Sequence, residues 1–207
     1  IFLYSFYLYI IGFEKEVYTT LRFDLVVVID STIGMEQYMN KCKEFIILYV
    51  ECLKRFHPYI HFRISWIGYH DHNDENYFID FLPFTSNIHQ FANFVNNDVK
   101  CSGGLEDKCE DVLGGLNTAI NLQYNNHHDG DNRGMRIILH IADAPCHGET
   151  FHHSNVSDSY PSGCPLGLKP EKIIPKLIHE KKIQYIFVKL NYTTDLMVKE
   201  FNRIIEL

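Results

Sequence analysis

Between Leu25 and Ile29 five apolar residues follow one another without a break and run straight into Asp30, Ser31 and Thr32. A short, unbroken run rich in β-branched residues is the pattern of a strand buried on both faces. From Gly34 onward the period changes. Met35, Tyr38, Met39, Cys42, Phe45, Ile46, Tyr49, Leu53 and Phe56 recur at helical spacing with charges between them, and His57-Pro58 closes the helix. Ile60, Phe62, Ile64 and Trp66 then alternate with more polar neighbours, a strand reaching Tyr69. The acidic turn Asp71 to Asn76 is too short to hold a crossover helix, so Tyr77 to Leu82 is read as an antiparallel edge strand.

The second half continues the alternation. A helix is expected over Asn87 to Asn97, then a glycine-containing loop at Cys101 to Leu105, then a helix from Glu110 to Leu122. Gly114 and Gly115 inside that helix cost about 1 kcal/mol each against alanine, which implies close packing on a sheet. The polar turn Tyr124 to Arg133 precedes a buried strand, Ile137 to Ile141, which ends at Asp143. A long irregular loop, Ala144 to Leu168, leads to a helix over Pro170 to Glu180, a strand over Ile183 to Leu190 and a last helix over Thr194 to Ile205. Strands alternating with helices predict an α/β fold of Rossmann-like kind: a doubly wound, mostly parallel sheet with one antiparallel edge strand.

Composition narrows the picture. With 207 residues, 46% of them hydrophobic, the chain can bury one substantial core. Residues 23–207 are read as one domain and 1–22 as a separate hydrophobic segment. Ile1 to Phe13 is almost wholly apolar and aromatic, against about 20 such residues for a membrane span and about 7–15 for a signal core. Membrane association and packing on the domain both remain open for it. A first residue of Ile is what a fragment or excised domain would have. The net charge of −7 and the lack of a basic stripe argue against nucleic acid. Six cysteines are scattered; Cys101 with Cys109, or Cys146 with Cys164, could close a loop, but no dense disulfide framework is visible. That points to a reducing compartment, the cytoplasm. Sequons at Asn155 and Asn191 are common by chance.

Three polar clusters fall at comparable places: Asp30-Ser31-Thr32 after one strand, Glu106 to Asp111 at a helix entry, and Asp143 after another strand. Ligands of open α/β sheets bind at the carboxyl ends of the strands. Each cluster alone has the composition of a helix cap; together they make an oxygen-rich site suited to Mg²⁺, Mn²⁺ or Ca²⁺ rather than Zn²⁺.

These residues resemble the ion site of a von Willebrand factor A (vWA) domain, D-x-[ST]-x-S with a later Thr-like ligand and a final Asp. Asp30 and Thr32 match the first two positions, and Asp143 in HIADAP matches the last. Gly34 stands where the second Ser would be, so one direct oxygen ligand is missing. GGLEDKCEDVLGGL, HIADAPCHGETFHH and the Tyr160-Pro161 segment resemble the subgroup associated with alpha-type atypical protein kinases, with Glu110 nearest the Thr position. The likeness spans roughly Phe23 to Ile205. It implies a metal-ion-dependent adhesion site (MIDAS) of Asp30, Thr32, Glu110 and Asp143, with Ser31, Asp107 and Asp111 additional or water-mediated. The ion would engage an acidic side chain of a protein partner, and the surrounding loops 71–76, 102–109 and 144–167 would choose it. Any kinase activity would lie outside this chain.

Two other chemistries were weighed. Cys146, His147, His152, His153 and Cys164 share one loop, and His70-Asp71-His72 another, but no familiar zinc spacing occurs. The expectation is a surface loop folded over the site with Cys146 beneath it. His140 is read as a core histidine. The rival class is a metal-dependent phosphoryl-transfer or hydrolase enzyme. Phosphatases of the haloacid-dehalogenase type need a second Asp where Thr32 stands, and no phosphate-binding or nucleophile-elbow motif is present. No catalytic residue is assigned.

Overall fold

The computed structural model describes residues 21–75, 77–125 and 134–206. The readings of residues 1–13 and of the turn at 126–133 lie outside them. The described strands form one sheet in the order β3-β2-β1-β4-β5. They are β1 (Arg22–Asp30), β2 (His61–Tyr69), β3 (Asp80–Thr85), β4 (Gly134–Ala142) and β5 (Gln184–Lys189). Only β3 runs antiparallel, at the edge beside β2. This is the Rossmann-like sheet that the alternation of elements implies.

Central β1 explains its own sequence. Phe23, Leu25, Val27 and Ile29 join one core with Met39, Ile46 and Val50 of α1 (Glu36–Phe56) and Phe91 and Val95 of α2 (Ile88–Asn97). Val26 and Val28 enter a second core with Leu113 and Leu116 of α3 (Val112–Ile120), Ile173 of α4 (Pro170–Pro175) and Met197 and Phe201 of α5 (Asp195–Ile205). A strand between two helical layers has no solvent face, so its apolar run cannot alternate. Between α1 and the β4–β5 side of the sheet, an apolar cleft of about 600 Å³ is lined by Tyr38, Phe45, Tyr49, Leu139, Ile186 and Val188.

Some boundaries differ from the sequence reading, for physical reasons. The edge strand is Asp80–Thr85, not Tyr77 to Leu82. The Tyr77 hydroxyl donates to Asp111 Oδ2 at 2.5 Å and its ring stacks on His72, so Tyr77 serves the loop. Pro83 is tolerated in β3 because an edge strand can forgo a donor. The helix expected over Pro170 to Glu180 stops at Pro175 and continues as a π turn, Lys176–Glu180, since proline cannot extend the hydrogen-bond ladder. The close packing expected at Gly115 is there: a Cβ would come 2.7 Å from the Tyr69 ring. At Gly114 it would instead fall on the carboxylate of Asp111.

His140 is a core histidine, fully buried between the hydroxyls of Tyr69 (2.9 Å) and Tyr185 (2.6 Å). All six cysteines are free, so neither loop-closing pair forms. Among the described residues no helix is long and apolar enough to cross a membrane.

Candidate metal centre

Strand register sets the frame. Asp30 ends β1 opposite Tyr69 of β2, while Ile29 pairs with Ile141 of β4. Asp30 and Asp143 therefore leave adjacent strands at the same edge of the sheet. Thr32 turns back on Asp30, its backbone N–H and hydroxyl donating to Asp30 Oδ1 at 2.9 and 2.6 Å. Glu110 arrives from elsewhere. Its N–H donates to the Pro145 carbonyl at 2.9 Å, and the next N–H, of Asp111, donates to the His70 carbonyl at 3.1 Å. The segment is thus stitched between the loops that follow β2 and β4.

A second strap brings Thr32 and Glu110 together. The Ser102 N–H donates to Ser31 O at 3.0 Å, and the Ile33 N–H to Gly103 O at 3.3 Å. Gly104, at φ +67°, lies so close that a Cβ there would be 2.7 Å from both Glu110 Oε1 and Thr32 Cβ. Only glycine fits at that approach. Gly34 is different: its added Cβ would sit at ordinary contact distance, 3.4 Å from Asp143 Oδ2.

The electrostatics follow from burial. Asp30 is fully buried; desolvation pushes its carboxyl up to about 7, against the hydrogen bonds from Thr32 and with help from the charge of Asp143. Glu110 is pushed up to about 11 by desolvation, with Asp30 and Asp71 adding repulsion. Burial also raises Asp143. Asp30 Oδ2, Glu110 Oε2 and Asp71 Oδ2 are buried with no hydrogen-bond partner among the described residues. An unsatisfied buried oxygen costs about 1–3 kcal/mol, and neighbouring carboxylates repel. One divalent cation would relieve both penalties. An all-oxygen donor set of this kind fits Mg²⁺, Mn²⁺ or Ca²⁺.

Among the described residues, the groups of His, Cys, Asp and Glu with ligand atoms within 4.8 Å of one another are His72–Asp111–Cys164, Cys109–His152–Asp158 and Asp71–Asp107–His147; none of these contains Asp30, Glu110 or Asp143.

The remaining sequence-derived residues have other company. The Ser31 hydroxyl is packed against Gly68 on the side of Asp80, and like the carboxylate oxygens it is buried with no hydrogen-bond partner among the described residues. Asp107 accepts from the N–H groups of Cys109 (3.0 Å) and Ser159 (2.5 Å). Asp111 caps α3 through the Gly114 N–H at 2.8 Å. Both hold the loops in place. Asp71, read as part of an acidic turn and of the His70-Asp71-His72 group weighed for zinc, was not placed in the carboxylate set. It follows β2 at the same edge as Asp30 and Asp143, and a carboxylate just past a central strand was the available signal. Its Oδ1 contacts His147 Nε2 at 2.9 Å, and His147 Nδ1 contacts Asp158 at 2.8 Å. Burial alone would lower the pKa of His147, but the two carboxylates outweigh it and raise it. Cys146 is buried beneath this loop, as expected.

Three exposed apolar side chains flank these turns: Ile33, Leu105 and Tyr192, at 43%, 77% and 67% exposure. Ile33 and Leu105 neighbour Thr32 and Gly104. Tyr192 precedes Thr193, whose hydroxyl donates to the Asp143 carbonyl at 2.7 Å.

No protein-family model matches the chain. It is 30% identical over 168 residues to the alpha-protein kinase vwkA of Dictyostelium discoideum, an alignment covering 81% of this chain and 25% of that protein. The similarity is homology to a kinase-related protein. The chain spans about a quarter of that relative's length. Two crystal structures of the pilus adhesin SpaC from Lactobacillus rhamnosus GG, one in its open conformation, superpose with TM-scores of 0.53 and 0.54. Identity there is 11% and 9%; each match covers 89% of this chain and 26% or 27% of the adhesin. At that identity the likeness is one of fold alone.

Proposed function

We propose that this chain is a vWA-type binding module whose divalent cation, held by Asp30, Thr32, Glu110 and Asp143 directly or through water, engages a carboxylate on a protein partner. One juxtaposition carries the reading: buried carboxylate oxygens of Asp30 and Glu110, with no hydrogen-bond partner among the described residues, belong to turns whose neighbouring residues Ile33, Leu105 and Tyr192 are exposed and apolar. An ion supplies charge complementarity, and an apolar rim supplies the area that makes an interface specific. When bound, the ion contributes a positive charge for the incoming carboxylate; the protein positions it and shields it from water. Homology to part of an alpha-protein kinase supports a regulatory or interaction role within a larger kinase-like protein. The chain itself has no catalytic role in this reading.

A peptide library panned on the Mg²⁺-loaded chain tests it. Selected peptides are expected to carry an Asp or Glu whose replacement abolishes binding, and EDTA is expected to release them. Binding that survives EDTA would contradict the proposal. A colorimetric phosphatase assay with Mg²⁺ addresses the enzymatic alternative: turnover present in the wild type and lost in Asp30→Ala would replace the binding-module reading with a catalytic one.

A further inference from the structure

Apart from the carboxylate set, His72, Asp111 and Cys164 meet from three different places: the loop after β2, the start of α3 and the long 144–168 loop. Their ligand atoms all lie within 4.8 Å of one another. His72 Nε2 is 2.9 Å from Asp111 Oδ1 and 3.4 Å from Cys164 Sγ. Both contacts fall on the same ring nitrogen. A Cys–His–Asp nucleophile triad would use the two nitrogens for the two partners, so this is not one.

The neighbouring histidines make the contrast. His147 offers Nε2 to Asp71 and Nδ1 to Asp158. His152 offers Nε2 to Asp158 and Nδ1 to the His153 carbonyl. Each of those nitrogens has its own partner. At His72, nitrogen, oxygen and sulfur converge on one point, and a single N–H can be directed at only one of the other two atoms.

The group is also held in place. The His72 ring stacks on Tyr77 at 5.3 Å and meets the edge of Tyr160 at 6.0 Å. Asp111 is fixed by the Gly114 N–H and the Tyr77 hydroxyl. Cys164 is half-buried, which leaves a route from solvent on the sulfur side, while the His72 side chain is only 6% exposed.

We infer that His72 Nε2, Asp111 Oδ1 and Cys164 Sγ form a second metal site, for Zn²⁺ or a similar transition ion, with water at the remaining position. Imidazole and thiolate are ligands that Mg²⁺ and Ca²⁺ avoid and Zn²⁺ accepts. Tetrahedral bonds of about 2.0 Å to nitrogen and oxygen and about 2.3 Å to sulfur put ligand atoms about 3.3–3.6 Å apart, so the two contacts of His72 Nε2 need shifts of a few tenths of an ångström, and Asp111 Oδ1 and Cys164 Sγ, within 4.8 Å of each other, must close to the same range. The ion would tie together three loops that border the carboxylate set. The residues are 39 and 53 positions apart in sequence, roughly ten times the spacing of the usual zinc motifs, which is why no pattern announces them.

Co²⁺, titrated into the reduced, metal-stripped chain, is the spectroscopic probe. One ion per chain is expected to bind with thiolate-to-cobalt absorption in the near ultraviolet, and Zn²⁺ is expected to displace it. The absorption should vanish in Cys164→Ser and His72→Ala and persist in Asp30→Ala and Cys52→Ser. Circular dichroism of the metal-free variants, matching the wild type, assigns the loss to the ligand rather than to folding. A wild-type chain without the sulfur-to-cobalt absorption, or a Cys164→Ser chain that retains it, overturns the inference.

Discussion

Gly34 stands where a second hydroxyl would complete the ligand pattern, and there is room for one. Its added Cβ would meet only the Asp143 carboxylate, at 3.4 Å. Gly34→Ser is therefore expected to tighten Mg²⁺ binding, by about tenfold if the hydroxyl is worth about 1.4 kcal/mol; calorimetric titration reads the change. His140 makes a separate claim, about stability. Burial lowers its pKa from 6.5 to about 3, so the folded chain binds fewer protons than the unfolded one between those values. The contribution is complete above about pH 6.5 and is lost as pH falls toward 3, an effect of the order of a few kcal/mol. Urea unfolding from neutral to mildly acidic pH should show it, with a shallower pH dependence in His140→Gln.

Elements were legible where local pattern and tertiary role agree. β1 is apolar throughout because helices cover both its faces, and α1 carries its stripe because it lies on one of them. The edge strand was displaced because Tyr77 spends its hydroxyl on Asp111, a contact across 34 residues that periodicity does not encode. Pro175 divides the helix expected after Pro170, and its chemistry was visible in the sequence. At α3 the glycine pair was readable as close packing, though only Gly115 meets the sheet. Gly115→Ala would push a methyl into the Tyr69 ring and should destabilise the fold by about 1–3 kcal/mol. At α2 the Asn87 side chain caps the Gln90 N–H at 3.2 Å; Asn87→Ala should cost about 1 kcal/mol. Denaturant unfolding measures both.

At the scale of the whole molecule, the sheet does the assembling. Asp30, Thr32 and Asp143 could be singled out because each follows a central strand, and strand ends converge in a parallel sheet. The Glu106 to Asp111 cluster was visible as a polar helix entry, but Glu110 was picked out within it only through resemblance, since the backbone hydrogen bonds that pin this loop to two others leave no local trace. The contacts that join Asp71, His147 and Asp158 were not legible, because they link residues up to 76 positions apart, although Asp71 itself follows a central strand as Asp30 does. The measurement that bears most directly on the account is calorimetric titration of Mg²⁺ or Mn²⁺ into the chain, beside Asp30→Ala and Asp143→Ala. Weak, saturable binding of one ion to the wild type, abolished in both variants while their circular dichroism is unchanged, is the expected result. No binding by the wild type, or the same binding by either variant, would contradict it.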